Sequence, residues 1–320
     1  MTASGSVNSQ RLLMRIQLLG TAAGGGFPQW NCRCRNCAEA RSNPAAARPR
    51  TQSSVAVSAD GQRWFLLNAS PDIAAQIAAF PPLQPGGDSV RGTPIQAVLL
   101  TNADLDHSLG VLMLRETTTL ALYASAETRE DLSQGIGLLP VLDAFCGVKW
   151  SCMADAEEPL LYADGSPSPL FCRGLPVPSK PPRFSRRSHG NGAAGGSVAY
   201  HIRDTRTGGS LIYAPDLMEL SGDLAARFDE CDLLLFDGTL WSETEMQDQR
   251  ISRVTARDMG HLPISGPRGS LDGLRDVTRP VRVYVHINNT NPILLEHSPE
   301  RAEVRAAGWT VGEDGMTFTL

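Results

Sequence analysis

Short apolar runs recur along the whole chain and alternate with segments whose apolar residues repeat at helical spacing. This alternation limits the fold more than any other feature of the sequence. Strand-like runs fall at 15–19, 54–57, 64–67, 95–100, 120–123, 196–202, 211–213, 231–236, 281–285, 309–311 and 316–320. Helical patterns lie between them at 72–80, 109–115, 126–135, 220–228 and 299–307. Strands interleaved with helices predict an α/β layered fold, since each strand needs a helix or a second sheet against its apolar face. The segment 204–209 separates two strand candidates and reads as a hairpin turn, with Asp204 bonding its own backbone and glycines supplying positive φ. The stretch 176–196, rich in Pro, Ser, Arg and Gly, reads as a long loop of the kind that forms site walls or lids. No repeat of fixed period and no linker divides the chain. One domain is therefore expected over 15–320, preceded by a disordered tail at 1–14.

The chain has 320 residues, 42% of them hydrophobic, enough for one large core. A net charge of −5 argues against a nucleic-acid or anionic-membrane partner, either of which favours a basic face. No apolar run approaches the roughly 18–20 residues of a membrane helix. The first eleven residues lack the charged and apolar regions of a signal peptide.

Three of the seven cysteines lie within six residues, as Cys-x-Cys-x-x-Cys at Cys32, Cys34 and Cys37. A secreted disulfide framework spreads its cysteines, whereas clustering in a chain of this size points to metal in a reducing compartment, hence the cytoplasm. Thiolates so spaced can supply three corners of a tetrahedral structural Zn²⁺ site, with the fourth, expected to be a histidine, from elsewhere. Arg33 and Arg35 would offset the thiolate charge. Cys146, Cys152, Cys172 and Cys231 stand alone and read as small buried apolar residues. The glycine-rich segment 20–30 just before the cluster matches no phosphate-binding pattern and reads as backbone that passes close to a site.

The apolar run 95–100 is followed by Thr101-Asn-Ala-Asp-Leu-Asp-His-Ser-Leu-Gly110. A carboxylate and an imidazole at Asp106 and His107, on a loop leaving a buried strand, form a candidate site for Zn, Mn or Fe. An Asn/Asp-rich turn with a helix cap would look much the same, so the context decides. Asp216 and Asp237 each stand at the end of an apolar run, His261 follows a turn, and His286 follows another strand-like run. Each alone is weak, but together they place acids and histidines repeatedly at strand ends.

This order resembles the metallo-β-lactamase superfamily, which implies a four-layer αβ/βα sandwich with metal at one edge of the sheets. In that superfamily the loop commonly reads His-x-His-x-Asp-His. Asn102 and Asp104 stand here at the two leading histidine positions, while Asp106 and His107 match. The resemblance makes Asp216 the metal-bridging acid and His286 the last histidine. A closer likeness is carried by Ala22-Ala-Gly-Gly-Gly-Phe-Pro-Gln-Trp-Asn-Cys32, Arg50-Thr-Gln-Ser-Ser54, Asn68-Ala-Ser-Pro-Asp-Ile73, Asp237-Gly-Thr-Leu-Trp241, Met259-Gly-His261 and His286-Ile-Asn-Asn-Thr-Asn-Pro-Ile293. Through these motifs the chain resembles the B proteins of pyrroloquinoline quinone (PQQ) biosynthesis.

That resemblance implies iron-dependent hydroxylation of the tyrosine ring of a small-molecule or dipeptide substrate derived from Glu-Tyr. Catalysis would fall to Asp106, His107, Asp237 and His261, and metal binding to Asp106, His107, Asp216 and His286. Two other readings compete: a metal-dependent hydrolase of the same fold, and a carrier that assists transport of PQQ or its precursor. A site with few imidazoles and open positions suits an Fe²⁺ cofactor and O₂ better than hydrolysis. Basic Lys180, Arg183, Arg186 and Arg187 in the long loop would suit a substrate carrying several carboxylates. His286 has two candidate employers, the cysteine-bound zinc and the active site.

Overall fold

The computed structural model describes residues 13–87, 90–187 and 196–320. Its strands are, in chain order, β1 (Arg15–Gly20), β2 (Ser54–Ser58), β3 (Trp64–Leu67), β4 (Ile95–Leu99), β5 (Thr119–Ala124), β6 (Gly147–Cys152), β7 (Glu158–Leu161), β8 (Pro167–Pro176), β9 (Val198–Asp204), β10 (Ser210–Ala214), β11 (Leu233–Asp237), β12 (Val281–Val285), β13 (Trp309–Val311) and β14 (Thr317–Thr319). They form two seven-stranded sheets, ordered β14-β1-β2-β3-β4-β5-β6 and β13-β12-β11-β10-β9-β8-β7. In each sheet one half is antiparallel and the other parallel: β3 to β6 in the first, β10 to β13 in the second.

The alternation of side chains along each strand accounts for the layering. Leu211, Tyr213, Leu233, Leu235, Val283 and Val285 face inward onto Ile16, Val55, Phe65 and Leu99 of the other sheet. Their neighbours Ile212, Leu234, Phe236 and Tyr284 point outward, under a cover that includes Leu224, Phe228 and Val304. On the far side Trp64, Leu66, Val98 and Leu122 pack beneath Ile73, Leu138 and Leu142. Central parallel strands buried on both faces read as continuous apolar runs, which explains Leu-Leu-Leu-Phe in β11. The result is the four-layer αβ/βα sandwich of the metallo-β-lactamase fold.

Several expectations need correction. Strands β6, β7 and β8 are not apparent as apolar runs. The first and second are edge strands, half exposed, and the prolines of β7 and β8 resemble turn signals, with the β7–β8 register shifting beside Pro159. The helix α1 (Arg35–Ser42) lacks an ordinary cap residue, because the Sγ of Cys34 accepts from the Cys37 N–H in place of a hydroxyl or carboxylate. Cys152 is exposed at the end of edge strand β6, while Cys146, Cys172 and Cys231 are buried. Of the expected tail, 1–12 lie outside the described residues. Met14 is fully buried and exchanges backbone hydrogen bonds with Leu320 at 2.9 Å. The turn at 204–209 joins β9 to β10, and the Asp204 carboxylate accepts from the Arg206 N–H at 2.9 Å. Among the described residues no helix is long and apolar enough to cross a membrane.

The parallel halves matter for function. The segments leaving β4, β10, β11 and β12 carry Asp106 and His107, Asp216, Asp237 and His286, and all emerge at one edge of the sandwich, where the carboxyl ends of parallel strands gather ligand sites. Helix α2 (Leu105–Ser108) carries the Asp-His pair and is seated on the turn after β3. There the Ala69 carbonyl accepts from Gly110 N–H at 2.8 Å, and Ala69 N–H donates to the His107 carbonyl at 2.8 Å. A Cβ at Gly110 would collide with the carbonyl oxygens of Ser70 and Ala69. Gly110→Ala is therefore expected to lower stability by about 1–3 kcal/mol, read from the denaturant midpoint at unchanged m-value. A variant as stable as the parent would remove this close contact as the reason for glycine.

Candidate metal centre

Helix α2 turns His107 inward, where it is almost fully buried. Its Nδ1 lies 2.8 Å from Asn102 Oδ1 and 3.1 Å from Thr101 Oγ1. The Asn102 oxygen can only accept, so Nδ1 carries the proton and Nε2 presents a lone pair. That Nε2 is buried without a hydrogen-bond partner among the described residues. Burial, with His286 and His261 nearby, pulls the His107 pKa down to about 4, so the ring stays neutral and able to bind metal.

His286 is held in the same sense from the other sheet. The Thr239 hydroxyl lies 2.6 Å from Asp237 Oδ1 and 2.8 Å from His286 Nδ1. Given to the charged carboxylate, its proton leaves an oxygen that accepts from His286 Nδ1–H. His286 Nε2 then faces Asp106 Oδ2 at 3.0 Å, and that oxygen is 3.8 Å from His107 Nε2. Donor atoms adjacent in a shell of 2.0–2.2 Å bonds stand roughly 2.8–3.6 Å apart, close to this spacing. Burial would raise the Asp106 pKa, but His107 and His286 outweigh it and hold the carboxyl well below its usual range. The donor set and the orphaned Nε2 both fit a divalent cation.

Asp237 sits behind this group. Its Oδ1 accepts from the Thr239 N–H at 2.9 Å and from the hydroxyl, and its Oδ2 from Leu217 N–H at 3.1 Å and His261 Nδ1 at 2.8 Å. Through these four hydrogen bonds it positions His261 and Thr239. Asp237, His261 and His286 still form a second close group of candidate donors. Asp216, the expected bridging acid, faces the cavity that these groups share. It takes a 2.6 Å hydrogen bond from the Asn102 amide and lies 3.4 Å from His261 Nδ1. Burial, and after it Asp216 and Asp106, push the Asp104 carboxyl well above its usual range. Asp104, Asp106, His107, Asp216, Thr239, His261 and His286 line this cavity of about 230 Å³ with Ala23, Gly24, Met259 and Asn288. Gly24 brings the glycine-rich loop against Asp106, as its composition suggested.

The cysteines form a separate group. Cys32, Cys34 and Cys37 have Sγ atoms within 4.8 Å of one another. Among the described residues no histidine joins that group. His286 belongs to the Asp106 site, and the side chain over the sulfurs is Asn289. Arg33 and Arg35 are exposed. The loop is instead clasped by Arg41, which donates to the carbonyls of Cys32 and Gln29, both at 2.6 Å. Burial pushes the Cys34 thiol up to about 12, a value that binding to a cation would reverse. Sequence reasoning passed over Thr239, Asn36 and Asn289 as functional residues, although all three lie inside or beside the motifs that carry the family likeness.

The beta-lactamase superfamily domain matches residues 63–287. Coenzyme PQQ synthesis protein B of Pseudomonas putida (strain GB-1) is 44% identical over 315 residues, covering 96% of this chain and all of the relative. The protein of the same name from Azoarcus sp. (strain BH72) is 45% identical over 312 residues, covering 96% of this chain and all of that one. The chain belongs to the coenzyme PQQ synthesis protein B family. The crystal structure of Zn²⁺-bound PqqB from Methylobacterium extorquens superposes with a TM-score of 0.86 at 40% identity, over 96% of this chain and all of that one. For this family member the Asp237–His261 pair yields a direct test in metal-free protein. Burial alone would lower the His261 pKa, yet Asp237 and Asp216 carry it up to about 10 from an ordinary 6.5. Because the folded value is raised, the charged ring stabilises the fold fully below pH 6.5 and loses that contribution as pH climbs towards about 10. Asp237→Asn is expected to bring the NMR titration of His261 down towards or below 6.5. An unmoved titration would mean that Asp237 does not charge the ring.

Proposed function

We propose that the chain acts in PQQ biosynthesis as a hydroxylase of the tyrosine ring of a Glu-Tyr-derived precursor, with Fe²⁺ held by Asp106, His107 and His286. The place in PQQ biosynthesis is supported by the near-full-length likeness to the B proteins. One observation carries the chemistry: two imidazole Nε2 atoms and one carboxylate face a single cavity, and Asn102 stands where superfamily hydrolases keep a histidine. A two-histidine, one-carboxylate face with open positions is the pattern of non-heme Fe(II) oxygenases. Bound there, Fe²⁺ supplies O₂ activation.

The chain's own residues then have definite roles. Asn102 fixes the His107 tautomer and occupies Asp216, so the position of the missing histidine is filled by an internal hydrogen bond. Thr239 fixes the His286 tautomer. His261, its Nδ1 tied to Asp237, turns its other nitrogen to where a substrate hydroxyl can give or take a proton. The cavity is smaller than the roughly 300–1,000 Å³ of common ligand pockets, which suits the aromatic ring while the carboxylates remain nearer solvent. Of the basic loop residues, Lys180 is best placed to meet them, beside the segment carrying Met259 and His261. Arg187 is engaged by buried Asp131 at 2.6 Å. The reading includes a cytoplasmic setting, in keeping with seven unpaired cysteines.

Anaerobic Fe²⁺ loading followed by ¹⁸O₂ and a Glu-Tyr-type substrate is expected to place labelled oxygen in the product, read by mass. Label-free product under every iron-loaded condition, or turnover with Zn²⁺ under strict anaerobiosis, would defeat the proposal, the latter in favour of the hydrolase. His107→Ala is expected to abolish turnover while leaving the cysteine-bound zinc in place. Asn102→Ala is expected to weaken binding of the active-site metal by roughly 10–100-fold, because it frees the His107 tautomer. Calorimetric titration of the metal checks this, and unchanged affinity would remove Asn102 from the site's support.

A further inference from the structure

Asn288 lines the site cavity and is buried, yet its side-chain oxygen has no hydrogen-bond partner among the described residues. Its Nδ2 is engaged, donating to Thr290 Oγ1 at 2.5 Å and towards Met246 Sδ at 3.7 Å. A carboxamide can present either end with almost no change of shape, so its partners decide which end faces the cavity. Those partners lead back to Glu245, in the short helix Glu245–Asp248. The Glu245 carboxylate is buried, with Oε2 accepting from the Trp241 N–H at 2.6 Å and Oε1 from the Thr290 hydroxyl. An ionised carboxylate only accepts, so Thr290 gives its proton to Glu245 and meets Asn288 with a lone pair. Asn288 must then turn its N–H to Thr290, which leaves its oxygen for the cavity. The backbone holds this register. Asn288 N–H donates to the Thr239 carbonyl at 3.0 Å, and Gln249 Nε2 to the Thr290 carbonyl at 2.8 Å. Glu245 and Thr290 stand behind Asn288, outside the cavity lining.

We infer that Asn288 receives the ring hydroxyl of the substrate on its side-chain oxygen, with Thr290 and Glu245 as the positioning residues that keep this oxygen turned to the cavity. This rests on the reading that the cavity takes a tyrosine ring, and adds a recognition element separate from the metal. An oxygen that only accepts selects a group that donates, so a phenol fits it and the corresponding methyl ether does not. Burial pushes the Glu245 pKa up to about 7, with Asp248 of the same helix adding to the rise and Thr290 and the N–H groups of Trp241 and Ser242 opposing it. The groups facing Glu245 from other segments, Thr290 and the Trp241 N–H, are uncharged. Once Glu245 is neutral its proton sits on Oε1, because Oε2 accepts from Trp241, and it donates to Thr290. Thr290 then turns its own proton to Asn288, whose oxygen is a better acceptor than the Met246 thioether, and the N–H end swings to the cavity. The preference for a donor is therefore present above about pH 7 and lost below it.

The test is calorimetric binding of two dipeptides, Glu-Tyr and Glu-Tyr methylated on the ring hydroxyl, to the full chain loaded anaerobically with Fe²⁺. Above the Glu245 value the parent is expected to prefer the free hydroxyl by roughly 5–100-fold, the effect of leaving the Asn288 oxygen unpaired. In Glu245→Gln the amide nitrogen takes the place of Oε1 and donates to Thr290 permanently. Its preference is expected to fall towards parity at every pH, whereas that of the parent falls only as pH drops through about 7. Asp104, Asp216 and His261 line the cavity in both chains, so their titration does not distinguish the two profiles. Thr290→Ser keeps the hydroxyl and is expected to keep the preference, and Thr290→Val to lose it. Should Glu245→Gln fail to fold, the pH profile of the parent and the Thr290 pair decide. A purely structural Glu245 would weaken both ligands equally and leave their ratio unmoved, which would overturn the assignment. So would a parent that binds both dipeptides alike, or a preference retained in Thr290→Val. A parent that binds neither dipeptide would overturn the tyrosine-ring reading itself, whereas the expected preference without ¹⁸O incorporation would overturn only the hydroxylase chemistry.

Discussion

The carboxylate of Asp237 has no exposure at all, and its burial sets the terms for the surrounding site. A charge cannot remain in such a place unless its lone pairs are met, and desolvation would otherwise drive the group neutral. Here His261, Thr239 and the Leu217 N–H meet them, and His261 and these hydrogen bonds hold the pKa below its ordinary value despite burial. The four hydrogen bonds draw the ends of β10 and β11 and the turn carrying His261 to one point. They also commit the Thr239 proton, and that commitment orients His286. Removing the charge would unfasten these partners together, because each uses Asp237 as its acceptor.

Much of this was legible in the sequence for a simple physical reason. Buried parallel strands must be apolar, so an acid or histidine at the end of such a run marks a side chain leaving the core at a sheet edge. Asp106, His107, Asp237 and His286 were recognisable in this way. Strands β6 and β7 carry no such signature, since neither is a continuous apolar run and both are half exposed, which is why they were missed. Roles were harder to read than places. Asp216 stands where the superfamily bridges two metals, and only the three-dimensional structure shows one of its oxygens bonded to the Asn102 amide. Asn289 lies in a run of asparagines whose individual roles, capping, clamping and contacting sulfur, depend on which neighbours the fold supplies.

The replacement of two histidines by Asn102 and Asp104 is the chemical centre of the sequence's departure from its superfamily. An imidazole offers metal a lone pair, whereas Asn102 spends its oxygen on His107 and its amide on Asp216. The same side chain therefore fixes the His107 tautomer and holds one oxygen of Asp216. Asp104 and Asp216 keep carboxyl groups there, and burial raises the pKa of both.

The loop after β12 links this position to the cysteines. His286 adopts a left-handed backbone, φ 55°, which costs free energy in any residue but glycine and persists only when its surroundings impose it. They do so on both sides. Ile287 N–H donates to the Thr21 carbonyl, and the Ile287 carbonyl accepts from Ala23 N–H, both at 2.9 Å. Asn288 N–H donates to the Thr239 carbonyl at 3.0 Å, and Asn36 grips the next turn. The glycine-rich segment and the cysteine motif, adjacent in sequence, thus bracket one loop of the opposite sheet. Their close spacing follows from this joint hold on the loop. The first passes Gly24 beside Asp106, and the second holds the far end of the segment that aims His286 at the same carboxylate.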